Sequence, residues 1–227
     1  MDTMQATLAA PPIRRRFDIS RYAAIGYAVC STVPVVWVGL QFDVYLSDLD
    51  EVAAHFAEPG STTASAWSAF LLTPLAAIFL VWTLARIRTS LDRSAGGASI
   101  AGAAAALGGG LMAVAMAVSA VVGHFGGEVA AGAEGRYPAD PRTGVALMLL
   151  AGGLFVVEGV GASVVVWAVA LGARRARQVP GWLAWVGFVL VPLLPYAWIL
   201  FMIPWLVFLV WLLAVSTMMK TDTTPAA

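Results

Sequence analysis

The chain has 227 residues, 60% of them hydrophobic and only 11% charged, with a formal net charge of zero and a mean hydropathy of +0.85. Soluble domains carry about a quarter charged residues, so a surface this apolar excludes an ordinary water-soluble domain and calls for lipid. The balanced charge gives no footing to a nucleic-acid partner, and a single cysteine, Cys30, excludes an intrachain disulfide or a cysteine metal cluster.

Residues 1–13 are polar or small, include Pro11 and Pro12, and read as a disordered tail. Arg14, Arg15 and Arg16 follow. They faintly resemble a twin-arginine export signal, but the long uncleaved apolar stretch behind them makes a cytoplasmic anchor the stronger reading. Apolar stretches at 22–42, 66–85, 98–122 and 144–171 each supply the ~20 residues of a spanning helix. Residues 182–218 fit a short helix at 182–194, a turn near Pro195 and Tyr196, and a last helix at 198–218. The short helix either crosses fully or dips in and returns. The expected fold is therefore all-α: a polytopic transmembrane bundle of six membrane segments, one domain at 14–220, with a second disordered tail at 221–227.

Charge orients it. Of the 13 Lys and Arg, all but Arg136 and Arg142 fall at one predicted face: Arg14, Arg15, Arg16 and Arg21; Arg86, Arg88 and Arg93; Arg174, Arg175 and Arg177; and Lys220. This is the positive-inside pattern, placing both termini in the cytoplasm of a plasma-membrane protein. Loops 43–65 and 123–143 then face outward. The first holds Asp43, Asp48, Asp50, Glu51 and Glu58 without a base, and reads as a solvated loop. Trp67, Trp82, Trp167 and Trp182 sit where interfacial belts belong.

Small residues predict close packing. Ala98, Gly102, Ala106 and Gly110 recur along the third span and form a stripe for a neighbouring helix or an oligomer partner. Gly152, Gly153, Gly159 and Gly161 crowd the fourth. Pro34 and Pro74 are expected to kink the first two spans.

Two groups of residues carry possible chemistry. Glu158 stands in the middle of the fourth span with no Lys or Arg in any span. A carboxylate there costs at least ~2–3 kcal/mol, so it should face the bundle interior or carry a proton. It could then act as a general acid, bind a cation or small polar or lipid ligand, or simply join helices. The second group is outward. His55 precedes Glu58 by three residues and His124 precedes Glu128 by four, spacings that share a helix face. Together they could hold zinc or copper, although Gly123, Gly126 and Gly127 argue against a continuous helix at the second pair. Cys30 reads as packing, and Tyr196, Trp198 and Trp205 as interfacial aromatics or the lining of a pocket in the last hairpin. No phosphate loop, metalloprotease or esterase motif, or intramembrane lysine is present, so no cofactor is expected.

The segment Arg174-Arg175-Ala176-Arg177-Gln178-Val179-Pro180-Gly181-Trp182-Leu183, with Gly187 beyond it, resembles the last cytoplasmic loop and following helix of uncharacterised six-helix integral membrane proteins common in actinobacteria. That resemblance implies six membrane segments and no particular activity. Three functions are open: a non-enzymatic accessory subunit or handler of a small solute, ion or lipid; an intramembrane enzyme acting on a lipid or isoprenoid, terpene-cyclase-like, with Glu158 as acid; or an outward-facing metal binder.

Overall fold

The computed structural model describes residues 20–40, 48–58, 60–132, 138–197, 199–200 and 202–219. The two tails, Arg14 to Arg16, Asp43, Arg136, Trp198 and Lys220 lie outside them. The described residues are helical and contain no strand. In chain order they form α1 (Ser20–Leu40), α2 (Leu49–Ala57), α3 (Ser61–Trp67), a π-helical turn (Ser68–Leu72), α4 (Thr73–Ser94), α5 (Ile100–Ala131), α6 (Pro141–Arg175), α7 (Gly181–Leu193), a 3-10 turn (Leu194–Tyr196) and α8 (Ile203–Met218). Three stretches are long and apolar enough to cross a membrane: Thr63–Ser94, Ile100–Ala131 and Pro141–Arg175. Large apolar side chains such as Ile78, Leu107, Val114, Leu149, Val189 and Val210 face outward, where lipid would cover them.

Six of the arginines gather at one end of the bundle. The chain ends of α4 and α6 meet at one end of the bundle, where the Gln178 side chain donates to the Ser90 carbonyl. This arginine end carries Arg86, Arg88 and Arg93 together with Arg174, Arg175 and Arg177. Arg174 lies over the Trp185 ring, 5.3 Å from its centroid. At the opposite, acidic end, Asp50 and Glu51 occupy the first turn of α2, where a helix N-terminus favours negative charge. Asp140 caps α6 there by accepting from the Thr143 backbone N–H at 3.2 Å and its hydroxyl at 2.6 Å. The Thr143 hydroxyl bond holds the Asp140 carboxyl below its ordinary range. This cap is therefore kept above the normal carboxylate range and lost only as pH falls through the lowered value.

Proline acts differently at its two positions. Pro34 lies inside α1. Pro74 follows the π-helical turn, in which the Thr73 N–H reaches back to the Ser68 carbonyl. The wider turn gives the proline ring room against the preceding carbonyls, and the helix runs on.

The antiparallel pair of α5 and α6 is the frame of the bundle. A methyl added at Gly108 would lie 2.8 Å from the Gly161 carbonyl oxygen, and one at Gly161 would lie 2.8 Å from that of Gly108. Near the acidic end the same exchange occurs between Gly126 and Gly144. Two expectations change here. First, α5 runs unbroken through Gly123, Gly126 and Gly127 to Ala131. Packing against remote residues holds the helix there. Gly126 accepts the backbone of α6, and Gly127 accepts the ring of Phe56. Second, the face buried on α5 passes through Gly102, Ala105, Gly108, Gly109 and Met112, while Ala98 and Gly110 are exposed and Gly110 meets nothing. A strict four-residue repeat drifts off a helix face that turns every 3.6 residues.

The C-terminal hairpin reaches only half way. Gly187 lies against Ala170, the Ser163 hydroxyl donates to the Val191 carbonyl at 2.7 Å, and Gly159 lies against the Leu194 carbonyl. α7 thus runs beside the second half of α6 and turns level with its middle. α8 returns alongside, with the Trp211 indole N–H donating to the Leu183 carbonyl at 2.8 Å. At ~1.5 Å per residue a helix of 13 residues is about 20 Å long, short of a hydrocarbon core of ~30 Å.

The glycine contacts set a specific expectation. Gly108→Leu should destabilise the bundle by about 1–3 kcal/mol or more through overpacking, while Gly110→Leu should cost under ~0.5 kcal/mol. Thermal unfolding of the two variants in detergent, followed by loss of the monodisperse species, checks the order.

Candidate functional site

Glu158 sits equidistant in sequence from the two ends of α6 and is 2% exposed. No hydrogen bond or ion pair joins its carboxyl to another described residue. It is not packed solid either. A cavity of about 120 Å³ lies against it, walled by α1, α3, the π-helical turn, α4, α5, α6 and α8, with Phe56 of α2 at its acidic end. From Glu158 its lining climbs α6 through Phe155, Gly152 and Ala151 to Met148, and α5 through Met116 and Ser119 to His124. The ten residues from Glu158 to Met148 correspond to a rise of ~15 Å, about half of a hydrocarbon core.

The wall is mainly apolar, with five hydroxyl-bearing residues among the twenty that line it. Ser31, Ser65, Ser68, Thr73 and Ser119 all contribute to it. The Ser119 hydroxyl donates to the Ala151 carbonyl at 2.8 Å, bridging α5 and α6. Around Glu158, donors are left over. Tyr27 and Ser31 stand one helical turn apart on α1. Yet neither hydroxyl has a partner at hydrogen-bonding geometry, and neither does the Trp205 indole N–H. At a water's ~30 Å³ share of liquid volume, the cavity has room for about four waters.

At the far end His124 is 6% exposed. Its Nδ1 lies 3.1 Å from the Ser65 hydroxyl, and its Nε2 lies 3.4 Å from a Glu128 carboxylate oxygen. Phe70 stands edge-on, 5.0 Å away between centroids. The i,i+4 spacing of His124 and Glu128 therefore acts as a helix would make it act, because α5 is continuous there. The other pair does not. His55 lies in α2, but Glu58 follows its end in an extended conformation. The residue before a proline is pushed out of the helical region, and residue 59 is Pro59. Among the described residues no three His, Cys, Asp or Glu side chains converge as metal ligands would. Glu128 and His124 together offer two donors, fewer than the three or four protein ligands of a zinc site.

Of the residues singled out in the sequence, Glu158, His124, Cys30 and Trp205 line one cavity. Tyr196 is exposed, and Gly159 and Gly161 seat neighbouring backbones rather than a ligand. The hydroxyls of Ser31, Ser65, Ser68, Thr73 and Ser119, and Tyr27 beside them, escaped notice there. Isolated serines are ordinary in transmembrane helices, and only their convergence is informative.

Towards the arginine end the cavity stops. Past Glu158, Gly159 is closed by Leu194 and Pro195, and Gly161 by Gly108 and Met112. Val165, Val166 and Val169 beyond them are fully buried.

Comparison with known proteins adds no identity: no family model, no curated protein and no solved structure matches the chain.

The environment of Glu158 fixes how substitutions behave. Glu158→Gln keeps shape and polarity and should accumulate and unfold like the parent. Glu158→Lys puts an uncompensated cation at mid-span, a cost of ~2.5–3.5 kcal/mol on insertion scales. Membrane-inserted yield of the Lys variant should drop severalfold, read by fractionation and immunoblotting of both variants.

Proposed function

We propose that this chain is a non-enzymatic, multi-pass protein of the plasma membrane that admits a small hydrophilic solute or ion from the outer side to Glu158. In this reading both termini are cytoplasmic, because the arginine end is held at the inner leaflet. α1, the α3–α4 rod, α5 and α6 are the four crossings. The hairpin of α7 and α8 enters from the cytoplasmic side and returns, making six membrane segments in all.

One observation carries the reading: a cavity with hydroxyls along its wall that joins His124, at the acidic end, to a buried carboxyl at mid-depth, and that is closed beyond it. A purely structural glutamic acid needs one neighbour to bond with, not a passage. The size of the cavity favours a small guest. Sites for drug-sized ligands occupy roughly 300–1,000 Å³, against about 120 Å³ here, which weighs against an isoprenoid substrate and a cyclase reaction.

The test uses thiols as reporters. Ser119→Cys and Ser163→Cys are placed separately in a Cys30→Ser background, since Cys30 itself lines the cavity. External silver ion, followed by maleimide titration of the denatured protein, should block Cys at 119 at least about tenfold faster than Cys at 163, because only a hydrated thiol reacts readily. Equal protection of both positions would remove the passage and the reading with it.

A further inference from the structure

We infer that the species held at this site is the proton, and that Glu158 is loaded and unloaded through water from the outer face alone. The inference rests on the reading above and names its ligand.

Three features select the proton over other guests. The site ends in one carboxyl without a second acid or a carbonyl cage. Ser31 and Trp205 share the cavity wall with it, and the Ser31 hydroxyl and the Trp205 N–H have no hydrogen-bond partner among the described residues. A metal or alkali cation wants several oxygen ligands, and the Trp205 N–H can offer it none. A proton needs only one carboxyl, which alternates between –COOH and –COO⁻. The route is also of the right kind. A cavity with space for several waters and with Ser119 and His124 on its wall supports a chain of hydrogen bonds.

The step balances simply. A hydronium at the inner end of the water chain gives its proton to a Glu158 carboxylate oxygen, leaving a water molecule and a neutral carboxylic acid. Unloading reverses it, and nothing is oxidised or reduced.

Few other groups interfere. From α1, Tyr27 and Cys30 face the site, and from α5 His124 stands at the far end, paired with Ser65 and Glu128. α8 carries no titratable residue, those of α4 (Arg86, Arg88, Asp92 and Arg93) lie towards the arginine end, and Tyr196 of the 3-10 turn is exposed.

One-sided access has an electrical signature. A proton moving from outside to mid-depth crosses about half of the membrane potential. An inside-negative potential draws protons to the site, so Glu158 stays protonated at higher external pH. The midpoint of its titration should therefore rise by roughly 0.8 unit of external pH per 100 mV. Access from the cytoplasmic side would give a shift of opposite sign against internal pH.

The experiment follows the protonated-carboxyl infrared band of the full chain in liposomes of known protein orientation. The band is assigned by its loss in Glu158→Gln and its retention in Glu158→Asp. Internal pH is buffered, external pH is stepped, and the potential is set with potassium and valinomycin. The expected result is a band that falls as external pH rises, with a midpoint that moves upward when the interior is made negative. A band that ignores external pH, follows internal pH, or shifts the other way with potential overturns the inference. If silver still reaches Cys at 119 while the band ignores external pH, the passage stands and the proton falls. If silver is excluded as well, both fall.

Discussion

Hydrocarbon offers no hydrogen bonds, and every part of this bundle follows from that constraint. Backbone within it must be helical or sheltered by other protein. Apolar burial cannot hold helices together when lipid is equally apolar, so contact must come from close approach. Gly108 against Gly161 and Gly126 against Gly144 supply it at two levels of the same helix pair. The irregular turn after α7, with Met202 in a left-handed conformation, is tolerated at mid-depth because Leu194, Ala197 and Met202 are buried against the rest of the bundle.

The same constraint makes Glu158 informative. In an aqueous protein a carboxyl without a partner turns to solvent. Here it lies buried midway along α6, and no described side chain neutralises it. Its surroundings are nonetheless polar in one direction. Towards the acidic end lie hydroxyls and His124; towards the arginine end lie valines and the backbone of the hairpin. That asymmetry is built from α7 and α8, which stop at mid-depth and plug the half of the bundle that α2 and α3 do not cover. A hairpin that crossed fully would have extended the plug along the whole of α6.

How much of this was legible in the residues depends on how far apart the interacting partners are. The long apolar stretches, the arginine clusters and Glu158 each conflict with water or with lipid by themselves, so each can be read from one short segment. Helix ends at the acidic side could not: the continuity of α5 rests on Phe56 and Gly144, which are remote in sequence, and the i,i+4 pairing of His124 with Glu128 follows from that continuity. The loss of the His55–Glu58 pair was within reach, because Pro59 announces that Glu58 leaves the helix. The small-residue stripe failed through its period: Gly110 is one step too far round, and Gly108 and Gly109 do the packing. The depth of the hairpin was hidden because a full crossing and a return both leave the last residues on the arginine side. The cavity is the least legible feature, since its wall comes from eight different helical elements and its few polar side chains are scattered among them.

The central claim is that water reaches Glu158 from one side of an otherwise dry bundle. Water-edited solid-state NMR on the protein in bilayers tests it most directly, by timing polarisation transfer from water protons to the Glu158 carboxyl carbon, the Ser119 side chain and Val165. Rapid transfer to Glu158 and Ser119 with slow transfer to Val165 is the predicted result. Equally slow transfer to all three would show a sealed core, and Glu158 would then be a structural acid with no passage to serve.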